Sequence, residues 1–434
     1  MSRPTIHIIG AGIAGLAAAV DLERTGVRIV VHEAAKQAGG RCRSYFDQRL
    51  GMEIDNGNHL MVSANKNALA YIKAIGAQDR LTYFPDAHFE FVDLRSSERW
   101  TIAPWRGPLP LWRLGALRPR AAEYSDVMKL IFSRDDRPLR DIMRCEGPLY
   151  EKLIRPLLLA ALNTEPAEAS SELARNLLRE TLLRGEAHCR PIMIREGLSG
   201  ALVDPALRLL ERHKVELRFG RRLQALCLER NRVAALQFED QTIDLSPLDL
   251  VILATPASVT AALAPGMNAP AEFNTIVNAH YAVAPSAALA PITAVTGATT
   301  EWLFAYPNCL SVTVSAANRL LARDPQDLAC EIWREVAQIA GLNGDLPPWR
   351  IIKEKRATFA ATPEQNKRRP ATRTALTNLL VAGDWTATGL PATIEGAVTS
   401  GFSAAREARL LLAADQCATP SSKEGKTFAH ADHG

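Results

Sequence analysis

At 434 residues the chain is too long for one simple hydrophobic core and long enough for two domains. Its 47% hydrophobic and 23% charged residues are typical of a globular protein, and a net charge of +4 gives no indication of nucleic-acid binding. Seven cysteines without C-x-x-C spacing indicate neither a metal site nor a disulfide framework, and they favour a reducing cytoplasm.

A strand predicted over residues 5–9 leads into a glycine-rich turn and then into an alanine-rich helix. The turn has the form G-x-G-x-x-G: the first glycine makes the tight turn, the second admits a pyrophosphate, and the third allows close packing of helix on strand. The phosphates would lie at the N-terminus of the helix. We therefore expect dinucleotide binding at Gly10, Gly12, Ile13, Ala14 and Gly15.

The second predicted strand, residues 27–32, ends at Glu33, where a carboxylate can accept hydrogen bonds from both ribose hydroxyls of an adenosine. The following Gly39, Gly40 and Arg41 resemble the second glycine doublet and arginine of glutathione-reductase-like and amine-oxidase-like flavoproteins. That resemblance implies that the arginine lies along the pyrophosphate. Because no second G-x-G-x-x-G follows, FAD is the expected cofactor, and the electron donor stays undefined.

Two later strands continue the predicted nucleotide-binding half. The first covers residues 214–219 and is followed by Leu223, which in this class of flavoprotein meets the adenine through its backbone amide and carbonyl. A hairpin is predicted over residues 233–245. The next strand, 248–253, is buried and ends in a turn at Thr255 that closes this half.

A short apolar strand near the end of the chain runs into Gly383 and Asp384. In flavoproteins of this class the aspartate binds a ribityl hydroxyl. A helix begins near Thr393 and Ile394, and its free N–H groups and positive dipole end would face the flavin. Glu395 falls in the first turn of that helix, so we interpret it as a capping or dipole acid rather than a catalytic one.

Three segments, 354–365, 368–370 and 379–401, carry a more specific resemblance. They resemble the squalene-associated FAD-dependent desaturases, also described as hydroxysqualene dehydroxylases, within the phytoene desaturase and amine oxidase superfamily. The resemblance spans about residues 4–412. It implies an α/β fold with a discontinuous Rossmann-like FAD-binding domain of the glutathione-reductase type and an inserted α+β substrate domain of antiparallel sheet plus helices.

We expect the FAD-binding domain to comprise residues 1–85, 191–265 and 375–415. The substrate and membrane-facing domain would comprise residues 86–190 and 266–374, with 416–434 a disordered tail. Within the substrate domain the sequence predicts strands over 276–283, 302–306, 311–314 and 350–354, and helices over 122–133, 147–162, 172–184 and 327–340.

The family resemblance implies reductive removal of the hydroxyl from hydroxysqualene, giving squalene for hopanoid synthesis. Gly57, Asn58 and His59 stand where the family usually has Gly-Gln-His, and we expect them near the flavin. His59 and His280 are the candidate proton donors, with a hydrogen-bonded structural histidine as the alternative for each. Asn278 stands in a tentative register where related amine oxidases tend to carry a lysine, which argues against amine oxidation.

Other interpretations stay open. A carotenoid-type desaturase acting on phytoene or diapophytoene would use the same scaffold with hydride moving the other way. A flavin amine oxidase is a third reading, and a non-enzymatic FAD-stabilised scaffold of a lipid-synthesis complex is a fourth. All four require bound FAD, and the oligomeric state is undefined for each.

Residues 99–120 contain Trp100, Trp105 and Trp112 among five arginines. Tryptophan beside arginine suits the headgroup region of an anionic membrane, so we expect peripheral membrane contact here, the alternative being a loop that packs its tryptophans on the domain. A functional strand at residues 5–9 leaves no room for a signal peptide. The expected location is the cytoplasm, with the inner face of the cytoplasmic membrane as the docking surface.

Overall fold

The computed structural model describes residues 3–104, 112–113, 121–343 and 345–418. Nothing from residue 419 onward is described, so the prediction of a disordered tail lies outside the described residues. The same is true of most of the tryptophan- and arginine-rich segment between residues 105 and 120.

The strands, in chain order, are β1 (Thr5–Ile9), β2 (Arg28–His32), β3 (Ser44–Asp47), β4 (Met52–Asp55), β5 (Met61–Val62), β6 (Leu81–Tyr83), β7 (Phe89–Asp93), β8 (Arg99–Pro104), β9 (Trp112–Arg113), β10 (Pro191–Ile194), β11 (Glu216–Arg218), β12 (Leu223–Glu229), β13 (Arg232–Phe238), β14 (Thr242–Asp244), β15 (Leu250–Leu253), β16 (Phe273–Tyr281), β17 (Ile292–Thr296), β18 (Trp302–Tyr306), β19 (Cys309–Val314), β20 (Trp349–Phe359) and β21 (Leu379–Val381).

The α-helices are α1 (Ile13–Leu22), α2 (Lys66–Ala74), α3 (Ala121–Phe132), α4 (Arg155–Leu162), α5 (Ser171–Glu180), α6 (Asp204–Arg212), α7 (Ala257–Leu263), α8 (Pro325–Ala340), α9 (Pro363–Lys367) and α10 (Ile394–Ala418). In the part of the chain that the structure describes, no helix is both long and apolar enough to cross a membrane.

A five-stranded parallel sheet, in the order β11-β2-β1-β15-β21, forms the nucleotide-binding half. Its central strands end side by side, because Ile9 pairs with Leu253 and Leu253 pairs with Val381. The turns that follow these three strands therefore meet at one edge, which is where open α/β sheets bind ligands. The predicted Rossmann-like fold is confirmed.

Helices α1 and α10 cover one face of this sheet in close contact. A Cβ atom at Gly401 would lie 2.3 Å from the backbone oxygen of Ala14 and 2.9 Å from the Cβ of Ala17. The small side chains of α1 thus let the last helix of the chain pack against the first. This contact places Gly401, in the second turn of α10, against the first turns of α1.

The second large sheet has eight strands in the order β20-β16-β19-β18-β17-β7-β8-β9. Its neighbouring strands are antiparallel as predicted, except that β7 and β17 are parallel. Alternation along β16 divides its side chains between two faces. Tyr281 faces α8, donating from its hydroxyl to Ala329 O at 2.8 Å, whereas Asn278 and His280 point to the opposite face.

The strands of the two sheets come from the segments expected for each domain, but the domain boundaries themselves stay a prediction. The predicted helix over 147–162 differs from expectation at its start, where a π-helical turn occupies Tyr150–Ile154, and a second π-helical turn, Ser199–Val203, precedes α6. Each turn is followed by an α-helix with proline at its second position, Pro156 and Pro205. Proline has no N–H to donate to the fourth residue before it, so the wider turn takes the place of an α-helical one.

Trp100, on β8, does not fit the expectation that it contacts a membrane. It is 6% exposed, stacks on Phe91 with 5.4 Å between ring centroids, and lies 5.1 Å below the ammonium of Lys152. The expectation was therefore wrong for this residue, because the alternation of β8 turns its ring into the core. Trp105 lies outside the described residues, and nothing is described of the Trp112 side chain.

Candidate active site

The glycine-rich turn after β1 closes tightly on one side and is open on the other. Gly10 has a φ of +111°, and a Cβ there would lie 2.5 Å from the backbone oxygen of Ala254. A Cβ at Gly12 would meet nothing within 4 Å. Behind the turn, Gly39 N donates to Ala11 O at 2.8 Å. The turn therefore presents exposed backbone to an open space at the edge of the sheet.

The rest of the motif begins α1. Ile13 and Ala14 are buried in its first turn, and a Cβ at Gly15 would lie 2.0 Å from Gly10 O, so no larger residue fits there. Gly40 has a φ of +57° and sits against Gly12, with 3.5 Å between its would-be Cβ and the Gly12 Cα. Both glycine groups thus line the same opening.

Glu33 follows β2 at the other end of this opening. Its two carboxylate oxygens accept hydrogen bonds from Ala11 N at 2.7 Å and Ala35 N at 2.8 Å. Its backbone oxygen accepts from Arg221 N at 2.8 Å, which brings the start of β12, with buried Leu223, close to the same end. The structure thus brings Glu33 and Leu223 to one side of the glycine turn.

Arg41 and Asp384 form an ion pair of 2.7 Å across the opening. The Asp384 carboxylate is buried, and its charge raises the pKa of Arg41 above the usual range. The other Arg41 amino group donates to Ala357 O at 2.5 Å. Just before the aspartate, Gly383 has a φ of +151° and donates from its N–H to Ser400 Oγ of α10 at 2.8 Å.

Arg369 supports the same turn from behind. It is 7% exposed and donates to Asp384 O at 3.3 Å and Thr388 Oγ1 at 3.1 Å, with its guanidinium 4.9 Å over the Phe359 ring. Its Nε has no partner among the described residues. Burial lowers its pKa to about 10, and the charge of Asp384 opposes this shift, so the group stays cationic at neutral pH.

The start of α10 lies between this turn and α2. Thr393 caps the helix by accepting from Gly396 N at 3.1 Å, and Ile394 is buried. Glu395 is a capping acid as expected, but it caps α2: its oxygens accept from Asn67 N at 3.1 Å and Ala68 N at 2.8 Å. A carboxylate from one helix can cap the N-terminus of another helix when the two helices begin side by side.

A polar cluster occupies the inner face of the eight-stranded sheet, and we define it as Asn58, Asn278, His280, Tyr306, Ser311 and Thr313. Asn58 Nδ2 donates to Ser311 Oγ at 2.8 Å and to Thr313 Oγ1 at 3.0 Å. Asn58 Oδ1 accepts from the Tyr306 hydroxyl at 3.3 Å. Three hydrogen bonds thus fix the orientation of the Asn58 side chain.

Ser311 connects Asn58 to the histidine in the cluster. Its Oγ accepts from Asn58 Nδ2 and lies 2.8 Å from His280 Nδ1, in a hydrogen bond whose direction depends on the imidazole tautomer. The other ring nitrogen, Nε2, is buried without a hydrogen bond of normal geometry among the described residues. Burial lowers the pKa of His280 to about 4, which outweighs the opposing effects of Asp47 and the Asp55 backbone.

His59 follows the Gly57-Asn58 turn and is only partly buried. It has no hydrogen bond to the described residues, in contrast to His280. Desolvation, with a smaller contribution from the charge of Arg41, lowers its pKa to about 4. Gly57 itself is needed for a close approach, because a Cβ there would lie 2.9 Å from Asn278 Nδ2.

Comparison with known proteins identifies the family of this chain. Residues 13–409 match the family described as flavin containing amine oxidoreductase. The chain is 48% identical over 415 residues to hydroxysqualene dehydroxylase of Rhodopseudomonas palustris, covering 94% of this chain and 99% of that protein. It is 46% identical over 404 residues to hydroxysqualene dehydroxylase of Sinorhizobium fredii, covering 92% and 97%. The chain belongs to the hydroxysqualene dehydroxylase family.

A solved structure shows how widely the fold of this hydroxysqualene dehydroxylase family member is shared. Cyclohexylamine oxidase from Brevibacterium oxydans superimposes with a TM-score of 0.70 at 14% identity, over 96% of this chain and 100% of that one. At this identity the likeness concerns the fold alone. The predicted fold class and family are confirmed, and the protein is an FAD-dependent oxidoreductase.

The described residues of this hydroxysqualene dehydroxylase family member fit FAD. The open space at Gly12 lies against exposed backbone, Glu33 stands at one end of it, and the Arg41–Asp384 pair stands on the other side. The Arg41 side chain reaches the surface of the opening, being 40% exposed, whereas the Asp384 carboxylate is buried behind it. A nucleotide that carries both a pyrophosphate and a hydroxylated chain suits this set of donors and acceptors.

Sequence reasoning missed two parts of the site. Arg369 lay in a segment used only to identify the family, and no local rule marked it as a partner of the Asp384 turn. Thr313 and Ser311 lay on a predicted strand, but their role depends on which strand pairs with β16. The signal that could have found them is the alternation that puts Asn278 and His280 on one face of β16.

Proposed function

We propose that this protein catalyses the reductive dehydroxylation of hydroxysqualene to squalene. The observation that carries the proposal is the identity of 46–48% with hydroxysqualene dehydroxylases over more than nine-tenths of the chain. The polar cluster supports it, because its members are uncharged at neutral pH and would sit against an alcohol rather than an ammonium group.

The reaction needs one proton and one hydride. Protonating the allylic hydroxyl breaks the C–O bond and releases water, which leaves an allylic cation on the substrate. FAD, bound and reduced, supplies the hydride that forms the new C–H bond. The protein's own tasks are to hold the cofactor rigidly, to deliver the proton and to keep bulk water from the cation.

We propose the following cofactor contacts for the chain. Leu223 and Glu33 would hold the adenosine, and the two glycine groups with Arg41 would hold the pyrophosphate. Asp384 would bind the ribityl chain, with the start of α10 facing the flavin ring. The proposed cofactor-binding residues are Gly10, Gly12, Ile13, Ala14, Gly15, Glu33, Gly39, Gly40, Arg41, Gly57, Asn58, His59, Leu223, Thr255, Gly383, Asp384, Thr393 and Ile394.

Of the two candidate proton donors, we favour His59 as the group that contacts the substrate hydroxyl. Its imidazole is partly exposed and has no other hydrogen bond among the described residues, so both nitrogens are available. His280 is buried and its Nδ1 is bound to Ser311, so we propose it as a positioning residue that acts through Ser311 on Asn58. A histidine with a pKa of about 4 is a strong acid once protonated.

Three further proposals concern the domains of the protein, its location in the cell and its contact with a membrane. We propose the two domains with the boundaries given above, a cytoplasmic location, and peripheral contact with the inner face of the cytoplasmic membrane. A C30 isoprenoid resides in the hydrocarbon core of a bilayer, so an enzyme acting on it benefits from working at the surface.

Anaerobic single turnover tests the proposed function. The holoenzyme is photoreduced, mixed with hydroxysqualene, and followed by flavin absorbance and by analysis of the extracted lipid. Flavin reoxidation with stoichiometric squalene is expected, and no reoxidation with no squalene would refute the proposal. Reduction of oxidised flavin by phytoene or diapophytoene would instead indicate a desaturase, and peroxide formation with amines an amine oxidase. A flavin that none of these substrates oxidises or reduces would indicate a scaffold.

A further inference from the structure

Helix α3 buries its two acidic side chains together with Leu130 and Ile131, and it exposes several large apolar ones. Both of its acidic side chains point inward: Glu123 accepts from Leu149 N at 2.8 Å, and Asp126 is paired with Lys129 and Arg144 at 2.8 Å each. Both carboxylates are buried. A helix on the surface of a globular domain normally places its charged residues outward, so the outward face of α3 needs another explanation.

That outward face is a stripe of large apolar side chains, Tyr124, Met128 and Phe132, spaced four residues apart. They are 45%, 47% and 70% exposed. Residues at this spacing are neighbours on a helix, so the three form one continuous patch. They make up three of the nine large apolar side chains exposed in the described part of the chain, and the others are dispersed over several elements. Exposed apolar side chains are thus concentrated on helix α3.

The charges around the patch are mainly positive. The exposed side of α3 carries Lys129 and no acid. Beyond its C-terminal end lie exposed Arg134 and Arg179, the latter donating to Ile131 O at 2.5 Å, and the exposed acids around the helix are Asp135 and, beside Arg144, Glu146. In sequence, residues 99–120 immediately before the helix include five arginines and no acidic residue. Apolar residues bordered by cations complement a surface of anionic headgroups over hydrocarbon.

We propose that the outward face of α3, with Tyr124, Met128 and Phe132 as its apolar anchors and Lys129 beside them, docks on the surface of an anionic lipid bilayer. This rests on the proposed function in one respect, since a hydrocarbon substrate gives the enzyme a reason to be there. It names a surface different from the tryptophan segment considered above. The buried Asp126, held by Lys129 and Arg144, keeps the negative charge of the helix away from the lipid.

Vesicle flotation with the FAD-loaded, full-length protein tests the proposal. The probes are vesicles of phosphatidylglycerol and phosphatidylethanolamine, with phosphatidylcholine vesicles for comparison. We expect the wild type to float with the anionic vesicles, and the triple variant Tyr124→Ser, Met128→Ser, Phe132→Ser to partition at least about tenfold more weakly. Lys129→Gln should weaken binding by a smaller, salt-dependent factor.

The matched control replaces exposed apolar residues elsewhere, Leu228→Ser with Leu410→Ser, which are 57% and 52% exposed. It should float like the wild type. Bound flavin and the thermal unfolding midpoint show that each variant is folded. Unchanged flotation of the triple variant, or equal loss in the control, would overturn the proposal. A triple variant that changes from dimer to monomer in size-exclusion chromatography, with flotation unaffected, would show a protein contact instead.

Substrate presentation separates this proposal from the proposed function. The triple variant should turn over hydroxysqualene dispersed in detergent at the wild-type rate, and lose activity only when the substrate is embedded in vesicles. If the wild type forms no squalene in either presentation, the proposed function fails while flotation still decides the docking face. Equal activity of wild type and triple variant on embedded substrate would contradict a role of this face in substrate access.

Discussion

The carboxylate of Asp384 and the guanidinium of Arg41 meet at 2.7 Å although 343 residues separate them in the chain. The pair joins the turn after β21 to the glycine doublet after β2. Because Arg369 donates to the backbone of the same aspartate, one buried carboxylate lies beside two cations. The consequences of removing its charge can be measured directly.

Replacing Asp384 with asparagine leaves Arg41 and Arg369 without their counter-charge. We expect FAD affinity to fall by at least about tenfold, because a charge-assisted hydrogen bond is lost and two cations face each other. Titration of the apoprotein with FAD, followed by flavin fluorescence, gives the dissociation constant. Asp141→Asn, at an exposed site, is the control. An unchanged dissociation constant in Asp384→Asn would mean that the carboxylate does not contact the cofactor.

Arg369→Met removes a buried cation from behind the Asp384 turn. A reduced flavin is the more negatively charged form, so loss of a nearby positive charge should lower the midpoint potential, by roughly 30 mV or about 1.4 kcal/mol for a two-electron couple. Redox titration against dyes measures it. Arg368→Met is the matched control, since that neighbouring side chain is exposed and donates to Ala269 O. Equal potentials for both variants would limit Arg369 to a packing role.

The acidity of His59 predicts the pH dependence of the reaction. A pKa lowered from 6.5 to about 4 makes the imidazolium scarce at neutral pH, and its fraction grows about tenfold for each unit of acidification until pH approaches 4. The single-turnover rate of flavin reoxidation should therefore rise as pH falls from 8 to 5. His59→Gln should be slow and lack this slope, whereas His88→Gln, at an exposed site, should retain it. A slope that persists in His59→Gln would assign the proton to another group.

Glu395→Ala should destabilise the protein without altering the charge at the Asp384 turn. It removes both acceptors from the N-terminus of α2, and loss of such a cap costs about 1 kcal/mol in unfolding free energy. Urea unfolding measures the difference, with Glu395→Gln expected in between because its amide oxygen still accepts. Glu229→Ala, on an exposed strand end, serves as the control. Full stability of Glu395→Ala would show that solvent replaces the cap.

The parts of the site that the sequence predicted are those determined by local chemistry. The turn at Gly10 to Gly15 is recognisable because its glycines stand where a larger residue would clash with nearby backbone or close the open space. The buried strand before it also has a clear end. The family resemblance at Gly383-Asp384 allowed the far side of the opening to be predicted as well. By contrast, the contact of Arg369 with Asp384 depends on how a loop folds back, which no spacing rule describes.

Other features depended on tertiary pairing. The register that places Asn278 opposite Thr313, and His280 opposite Ser311, creates the polar cluster, and it is fixed by packing of the whole sheet. Glu395 caps α2 rather than its own helix because α2 and α10 begin side by side. In α3 the burial of Glu123 and Asp126 could not be inferred from periodicity, because their partners Leu149 and Arg144 lie in a later segment of the chain.

The alignment of Ile9, Leu253 and Val381 in neighbouring strands determines when the cofactor site can form during translation of the protein. The strand that carries Asp384 to the opening is at the edge of the sheet and is the last of the described strands to leave the ribosome. A nascent chain that has already folded its glycine turn therefore has only one wall of the pocket. Cofactor loading must wait until translation is nearly complete, so ribosome-bound chains stalled before residue 379 should be colourless.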